Sequence, residues 1–248
     1  MPSTFDRSIE ITRESLILAL VPIAASLLSG SKIARVQEAG PGGGMTFPFP
    51  TGLPTLWTYV SVPSGSGGGV GSISGPLAFG VFVPLFILGL LITSALEAGF
   101  LGSLNRRIDG RTIDFMESTK RFTIRIVWVN LLRAIIVFAM FPLLVFPPLA
   151  LGVVLVLIYL IYGLPFEIVV QDVGVVESIE ATVAHALNGG TYAWFGLAHL
   201  LGGAVASLFL TTLIRNYGLF GIVVGTLVVA VPAVFVATYG LFVFRDLG

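Results

Sequence analysis

The sequence predicts an all-α, polytopic integral membrane protein: six transmembrane helices, two cytoplasmic amphipathic elbow helices and an amino-terminal interfacial helix. Three observations carry this. Hydrophobic side chains make up 56% of the 248 residues and charged ones only 10%, where a soluble domain holds about 25% charged residues. Mean hydropathy is +1.00. Six long apolar runs recur along the chain, and lipid tolerates such runs only as helices, because it offers the backbone no hydrogen-bond partner.

Residues 1–15 place Phe5, Ile9, Thr12 and Leu16 on one helical face, with Asp6, Arg7, Glu10, Arg13 and Glu14 elsewhere. That pattern predicts an amphipathic helix lying on the membrane. It leads into a single membrane domain, 16–248, whose spans are Leu16 to Leu28, Leu77 to Phe100, Phe122 to Phe146, Leu149 to Val170, Tyr192 to Ile214 and Leu219 to Phe244. The first run, 13 residues before Ser29-Gly30-Ser31, also has the length of a signal-peptide core. Its flank argues against cleavage, since Asp6, Glu10 and Glu14 outnumber Arg7 and Arg13 where a signal peptide is basic. With the amino terminus inside, Arg7, Arg13, Arg106, Arg107, Arg111, Lys120, Arg121 and Arg245 face the cytoplasm, against Lys32, Arg35 and Arg215 outside. The positive-inside rule then predicts a multi-pass protein of the cell membrane with both termini cytoplasmic.

Residues 30–76 form a long outer segment with 12 of the 30 glycines and six of the 14 prolines, including runs at Gly42–Gly44 and Gly67–Gly69. Fixing such a chain is entropically expensive, so a flexible loop is the plain expectation. The alternative is a re-entrant or interfacial lid centred on Phe47, Phe49, Leu53, Leu56, Trp57 and Tyr59, whose rings suit the headgroup region.

The two inner connections align at an offset of 63, Asp109 to Thr119 over Asp172 to Thr182, with Asp, Glu and Thr shared at three positions. Each follows an inward span and precedes an outward one, which suggests that spans two and three repeat as four and five. In the second, Val176, Ile179, Val183 and Leu187 share a face, Glu177 and Glu180 lie off it, and Gly189-Gly190 ends the helix. Glu117, Glu177 and Glu180 are the candidate partner-facing residues of these elbows.

At Phe166-Glu-Ile-Val-Val-Gln-Asp-Val-Gly174-Val-Val-Glu-Ser-Ile179, and at the shorter Gly110-Arg-Thr-Ile-Asp-Phe115, the chain resembles a broad, poorly characterised group of six-span prokaryotic membrane proteins. That group includes the membrane domain attached to some glycerophosphodiester phosphodiesterases. The resemblance runs loosely over spans two to six and implies a membrane module without a catalytic centre of its own. The long Gly-rich outer loop departs from the group's compact form.

An ionisable side chain within a span is costly and therefore a candidate for function. Glu97 and Glu167 near the inner ends of spans two and four, with Arg125 at the start of span three, are expected to pair near the cytoplasmic surface or to fix packing as ordinary ion pairs. Arg133 and His199, about two turns further in, are expected to form a deeper polar cluster with Asn130. Arg133 keeps its proton, so it bonds backbone carbonyls or makes an anion or headgroup site. His199, near Gly196, Gly202 and Gly203, reads as an interhelical donor before a proton relay. Gly221 and Gly225 predict close helix approach on span six, and Pro84, Pro142, Pro165 and Pro232 predict kinks.

Thirteen Lys and Arg against 13 Asp and Glu leave no basic surplus for a nucleic acid. The absence of cysteine excludes thiol, disulfide and iron-sulfur chemistry, and two histidines leave little for a metal. No nucleotide-binding loop, nucleophile elbow or H-E-x-x-H helix occurs. No enzyme activity, cofactor or metal site is expected. The function these features suggest is a non-catalytic multi-span membrane module that scaffolds a partner or assists transport. Its partners would be the lipid bilayer, a membrane or cytoplasmic protein and further copies of itself. The alternative is the permease subunit of an ATP-driven exporter with a separate ATPase, since six spans with cytoplasmic helices after the second and fourth also describe that architecture. An intramembrane hydrolase stands a distant third.

Overall fold

The computed structural model describes residues 3–63, 76–139 and 145–248, side chains of 76–82 and 147 excepted, and every regular element among them is helical. Helix α1, Thr4–Glu14, opens with a reciprocal cap between Ser3 and Asp6. It buries Ser8 and Thr12, and Ser15 just beyond it is buried too. It lies along the carboxyl-terminal helix, with Arg7 4.4 Å over the Phe242 ring and Phe5 5.3 Å from Phe235. The buried part of this contact is made by hydroxyl residues, Thr12 of the expected Phe5-Ile9-Thr12-Leu16 face among them, while Phe5 and Leu16 stay half exposed.

A single 3-10 turn, Leu16–Ala19, leads into α2, Leu20–Leu27, which is followed by α3, Gly30–Glu38, at an angle of 59°. The bend sits at Ser29, whose φ and ψ of −84° and 53° leave the helical region. The expected outer loop therefore begins with a helix, seated by the buried Val36.

Helices α4, Pro76–Ile108, and α5, Phe115–Ala139, form a close antiparallel pair. A Cβ on Gly99 would lie 2.4 Å from Thr119 Oγ1, and one on Gly102 2.6 Å from Ser118 Cβ. The first elbow, expected over 109–121, is corrected here: residues 115–121 are the opening turns of α5, which continues to Ala139. Asp114 caps that start by accepting from the Glu117 amide at 2.9 Å, and no Gly or Pro follows to stop the helix. The predicted repeat of spans loses its first half with it.

Helix α6, Pro147–Ile161, passes into α7, Leu164–Gln171, across Tyr162-Gly163. Pro165 lacks the N–H that would bond the Ile161 carbonyl, which accounts for the interruption. Helix α8, Val175–Asn188, is a separate element. The Gly174 amide donates to Glu177 at 2.6 Å at its start, and Gly189 and Gly190, with φ of 68° and 56°, end it. Of the expected apolar face, Ile179 packs against the core that holds Phe166. Ser178, Thr182 and Ala186 are buried, while Val176 and Leu187 are exposed together with Glu177 and Glu180.

The last element, α9, Gly190–Leu247, breaks at Gly218, whose φ and ψ of 55° and −130° are non-helical. Its two arms, 190–217 and 219–247, fold against each other. A Cβ on Gly221 would lie 2.6 Å from the Leu213 carbonyl oxygen. Among the described residues four helices, Val83–Ile108, Phe115–Ala139, Pro148–Gln171 and Gly190–Leu247, are long and apolar enough to cross a membrane, or five if the bent pair Leu16–Leu27 and Gly30–Glu38 is one span. The chain is an all-helical membrane protein.

Two cores hold the bundle. One gathers Phe100, Leu101, Ile126, Tyr162, Phe166, Tyr192 and Phe244; Tyr162 and Tyr192 lie 4.4 Å apart and Phe166 stacks on Phe244 at 5.3 Å. The Tyr162 hydroxyl donates to the Tyr192 carbonyl at 2.6 Å, so the buried phenol is satisfied. The other core joins Leu210, Ile214 and Ile222 of α9 to Leu56, Trp57, Tyr59 and Val60 from the outer segment.

Candidate functional site

Over its described part, 40–63, the segment expected outside is packed against the helices and forms a lid over them; the run Gly67–Gly69 lies outside the described residues. Buried extended backbone needs partners for its polar groups, and side-chain hydroxyls supply several of them here. The Thr46 amide donates to Ser207 Oγ at 2.8 Å, the Ser61 amide to Thr211 Oγ1 at 2.9 Å and the Leu56 amide to Ser26 Oγ at 3.0 Å. Trp57 Nε1 donates to the Ser26 carbonyl at 2.6 Å.

A stripe at four-residue spacing on the first arm of α9 receives the lid. Tyr59 packs on His199 at 5.8 Å, and Pro48 fills the place of a side chain on Gly203, where a Cβ would lie 2.3 Å from its Cγ. Ser207 and Thr211 take the two amides. Arg215 closes the row, donating to the carbonyls of Gly43 at 3.0 Å, Gly40 at 3.2 Å, and Ala39 and Pro41 at 3.3 Å. The twelve residues from Arg215 to Gly203 descend ~18 Å at 1.5 Å per residue. The lid turns deeper still, at Gly52, where a Cβ would lie 2.4 Å from Glu97 Oε1.

Beneath that turn sits a polar cluster. Asn130 Nδ2 donates to Glu97 Oε2 at 3.1 Å and to Ser94 Oγ at 3.0 Å, and Arg133 Nη1 donates to Asn130 Oδ1 at 3.1 Å. Arg133 lies 3.9 Å from Glu97 Oε1. Glu97 is 6% exposed, so the carboxylate depends on these partners.

The expected layers are redistributed. Glu97 joins the cluster of Asn130 and Arg133 because α4 runs on to Ile108, which sets Glu97 eleven residues from its carboxyl-terminal end. Arg125 instead pairs with Asp172 at 2.7 Å. The hydrogen bond from Arg121 to Asp172 holds that carboxyl below the usual carboxylate range, with Arg125 adding to it. Glu167 is buried and faces His185 at 3.9 Å. Burial pushes the His185 imidazole below its usual value, which weakens it as a charged partner. His199 does not join Arg133, and its Nε2 is buried without a hydrogen-bond partner among the described residues. Arg133 bonds side chains, not the expected backbone carbonyls. Of the elbow acids, Glu117 pairs with Arg106 at 2.6 Å, while Glu177 and Glu180 point outward from α8.

No family model, curated protein or solved structure matches the chain. The site therefore stands on its own geometry. Reading single spans missed Ser207, Thr211 and Arg215; the signal was their four-residue spacing with His199 and Gly203, polar or small on a helix otherwise apolar.

Replacing Arg215 by alanine is expected to free the lid without unfolding the bundle. Losing hydrogen bonds from a charged, partly exposed donor eases local opening by about 2–3 kcal/mol. Amide exchange at Thr46 and Ser61 should then quicken about 30- to 150-fold, with amides in α5 unchanged. Unaltered exchange at both positions would show that Arg215 does not hold the lid.

Proposed function

We propose that the chain is a non-catalytic membrane module that assists transport by a partner protein, with the lid as its moving part. The observation that carries this is the burial of the 40–63 segment, with Pro48, Pro50 and Pro54, across Glu97 and the first arm of α9. A purely structural loop gains nothing from dipping between helices, where each backbone amide needs a donated hydroxyl. Leu56, Trp57, Tyr59 and Val60 anchor one end of the segment in the second core, while residues 40–46, held by Ser207, Arg215 and Asn216, are the part that can leave and return.

Six spans belong to the proposal: α2 with α3, α4, α5, α6 with α7, and each arm of α9. With both termini cytoplasmic, Lys32, Arg215 and the lid face outward and α8 lies at the inner surface. Kinship with the six-span prokaryotic group is part of the same proposal. The permease reading ranks second. It needs two cytoplasmic coupling helices, and among the described residues α8 alone is a separate helix between the proposed spans.

The chain has no cysteine, so a single pair can be introduced. Thr46→Cys with Ser207→Cys places two thiols where an amide-to-hydroxyl bond of 2.8 Å now lies. The full chain, purified from its native membrane with any integral protein that remains in equal amount, is reconstituted into vesicles, and that partner's transport is measured. Oxidation should suppress transport and reductant restore it. Transport that ignores the lock, or a chain that purifies alone, overturns the reading, and recovery of an ATPase in equal amount shifts it to the permease.

A further inference from the structure

A groove of about 410 Å³ opens beside the lid, between α5 and α6. It falls within the ~300–1,000 Å³ of small-molecule sites. Its apolar wall is Val137, Val154, Ile158 and Ile161 on the helices, with Phe47 and Trp57 on the lid. Two cations face into it, Arg133 from α5 and Lys32 from α3. The ammonium of Lys32 has no ion pair or hydrogen bond among the described residues. Among the described residues Arg133 hydrogen-bonds through Nη1 alone, and its Nε and Nη2 have no partner there. Its counter-charge, Glu97, is not part of the lining. The hydroxyl residues Thr51, Thr55 and Thr58 line the same groove, and Thr51 Oγ1 is buried without a partner among the described residues.

We infer that this groove binds an anionic phospholipid, its headgroup between Lys32 and Arg133 and an acyl chain along α5 and α6. Charge decides the class. A zwitterionic headgroup would bring its own ammonium against two cations, whereas an anionic one neutralises them and accepts from the guanidinium fork and the threonines. The wall decides that the anion carries a chain. A free inorganic anion would leave the Val137, Val154 and Ile158 surface uncovered, and an acyl chain matches it. The groove also explains how a cation persists at this depth, since the lipid supplies the charge that Glu97 alone, at 3.9 Å, supplies in part. This inference rests on the membrane-module reading, yet it can fail separately, because it is tested by lipid binding and not by transport.

Trp57 is a built-in reporter. It lines the groove and is 6% exposed, while Trp128 and Trp194 are exposed on the bundle's outside. In the full chain carrying Trp128→Phe and Trp194→Phe, fluorescence from Trp57 is followed in nanodiscs with rising fractions of brominated phosphatidylglycerol or brominated phosphatidylcholine. Half-quenching is expected at about tenfold less phosphatidylglycerol than phosphatidylcholine. Lys32→Gln and Arg133→Gln should each reduce that preference about fivefold, and Lys120→Gln, far from the groove, should leave it intact. Lys32 is partly exposed and unpaired, so its variant keeps the test valid if the Arg133 variant misfolds. Equal quenching by the two lipids overturns the inference, as does a preference that survives both groove variants. Loss of the preference on adding millimolar inorganic phosphate would make this a site for a free anion and overturn the phospholipid assignment.

Discussion

Replacing Gly221 by valine is expected to lower the thermal midpoint of the detergent-solubilised protein by about 6–12 °C. The reason lies in what the new Cβ would meet: the Leu213 carbonyl oxygen at 2.6 Å and Ile214 Cα at 2.8 Å. Both are backbone atoms of the opposing arm, so no rotamer change relieves the contact and the arms of α9 must part. Overpacking costs about 1–3 kcal/mol where side chains can shift, and a backbone clash lies at the upper end of that range. About 3 kcal/mol, at 2–4 °C per kcal/mol for a chain of this size, gives the expected drop. Parting the arms also removes Ile222 from Ile214 and loosens Leu56 and Trp57 in the same core. Gly202→Ala is the matched control, because nothing lies within 4 Å of its added methyl. If the two variants melted together, the hairpin packing described for α9 would be wrong.

Most of the helices were legible in the sequence, and the reason is the bilayer itself. Long apolar runs have one way to satisfy their backbone, so 148–171 stands within one residue at each end of the run that predicted it, Leu149 to Val170, whereas 115–139 begins seven residues before the predicted Phe122. The ends were less legible. Helix propensity carries α4 past Phe100 to Ile108, and that shift moved Glu97 from the expected shallow layer into the cluster with Asn130 and Arg133. The first elbow failed for a related reason. Its amphipathic pattern fits a helix lying on the membrane and the first turns of a span equally well, and only a stop signal such as Gly189-Gly190 separates the two. The lid was half legible. Its aromatics marked it as more than a linker, but what holds it is the stripe from His199 to Arg215, more than 130 residues away, and pairing at that range leaves no periodic trace in the loop.

Glu97→Leu is expected to destabilise the protein more than Arg133→Leu, by about 3 against 1–2 kcal/mol, although the two residues face each other. The asymmetry follows from protonation. A guanidinium cannot lose its proton, so without Glu97 the charge on Arg133 remains with only Asn130 Oδ1 to accept from it. A carboxylate stranded by loss of its cation can take up a proton, which limits the penalty. Removing one member of a buried pair typically costs about 3–5 kcal/mol, and the exposure of Arg133, with 26% of its side chain accessible, places Glu97→Leu at the lower end. Glu97→Gln keeps the shape beneath Gly52 and the contact with Asn130, so it should recover about half the loss. The double variant Glu97→Gln with Arg133→Gln should be more stable than the sum of its parts by about 1 kcal/mol, since neither side is then left charged. Denaturant unfolding in mild detergent measures all four and the single variant Arg133→Gln that completes the cycle. Additive losses would mean that the 3.9 Å approach carries no energy and that Arg133 is held by Asn130 alone. Equal losses for the two leucine variants would mean that Arg133 finds its counter-charge elsewhere, and a phospholipid in the groove is the source that the lipid experiment would then already have detected.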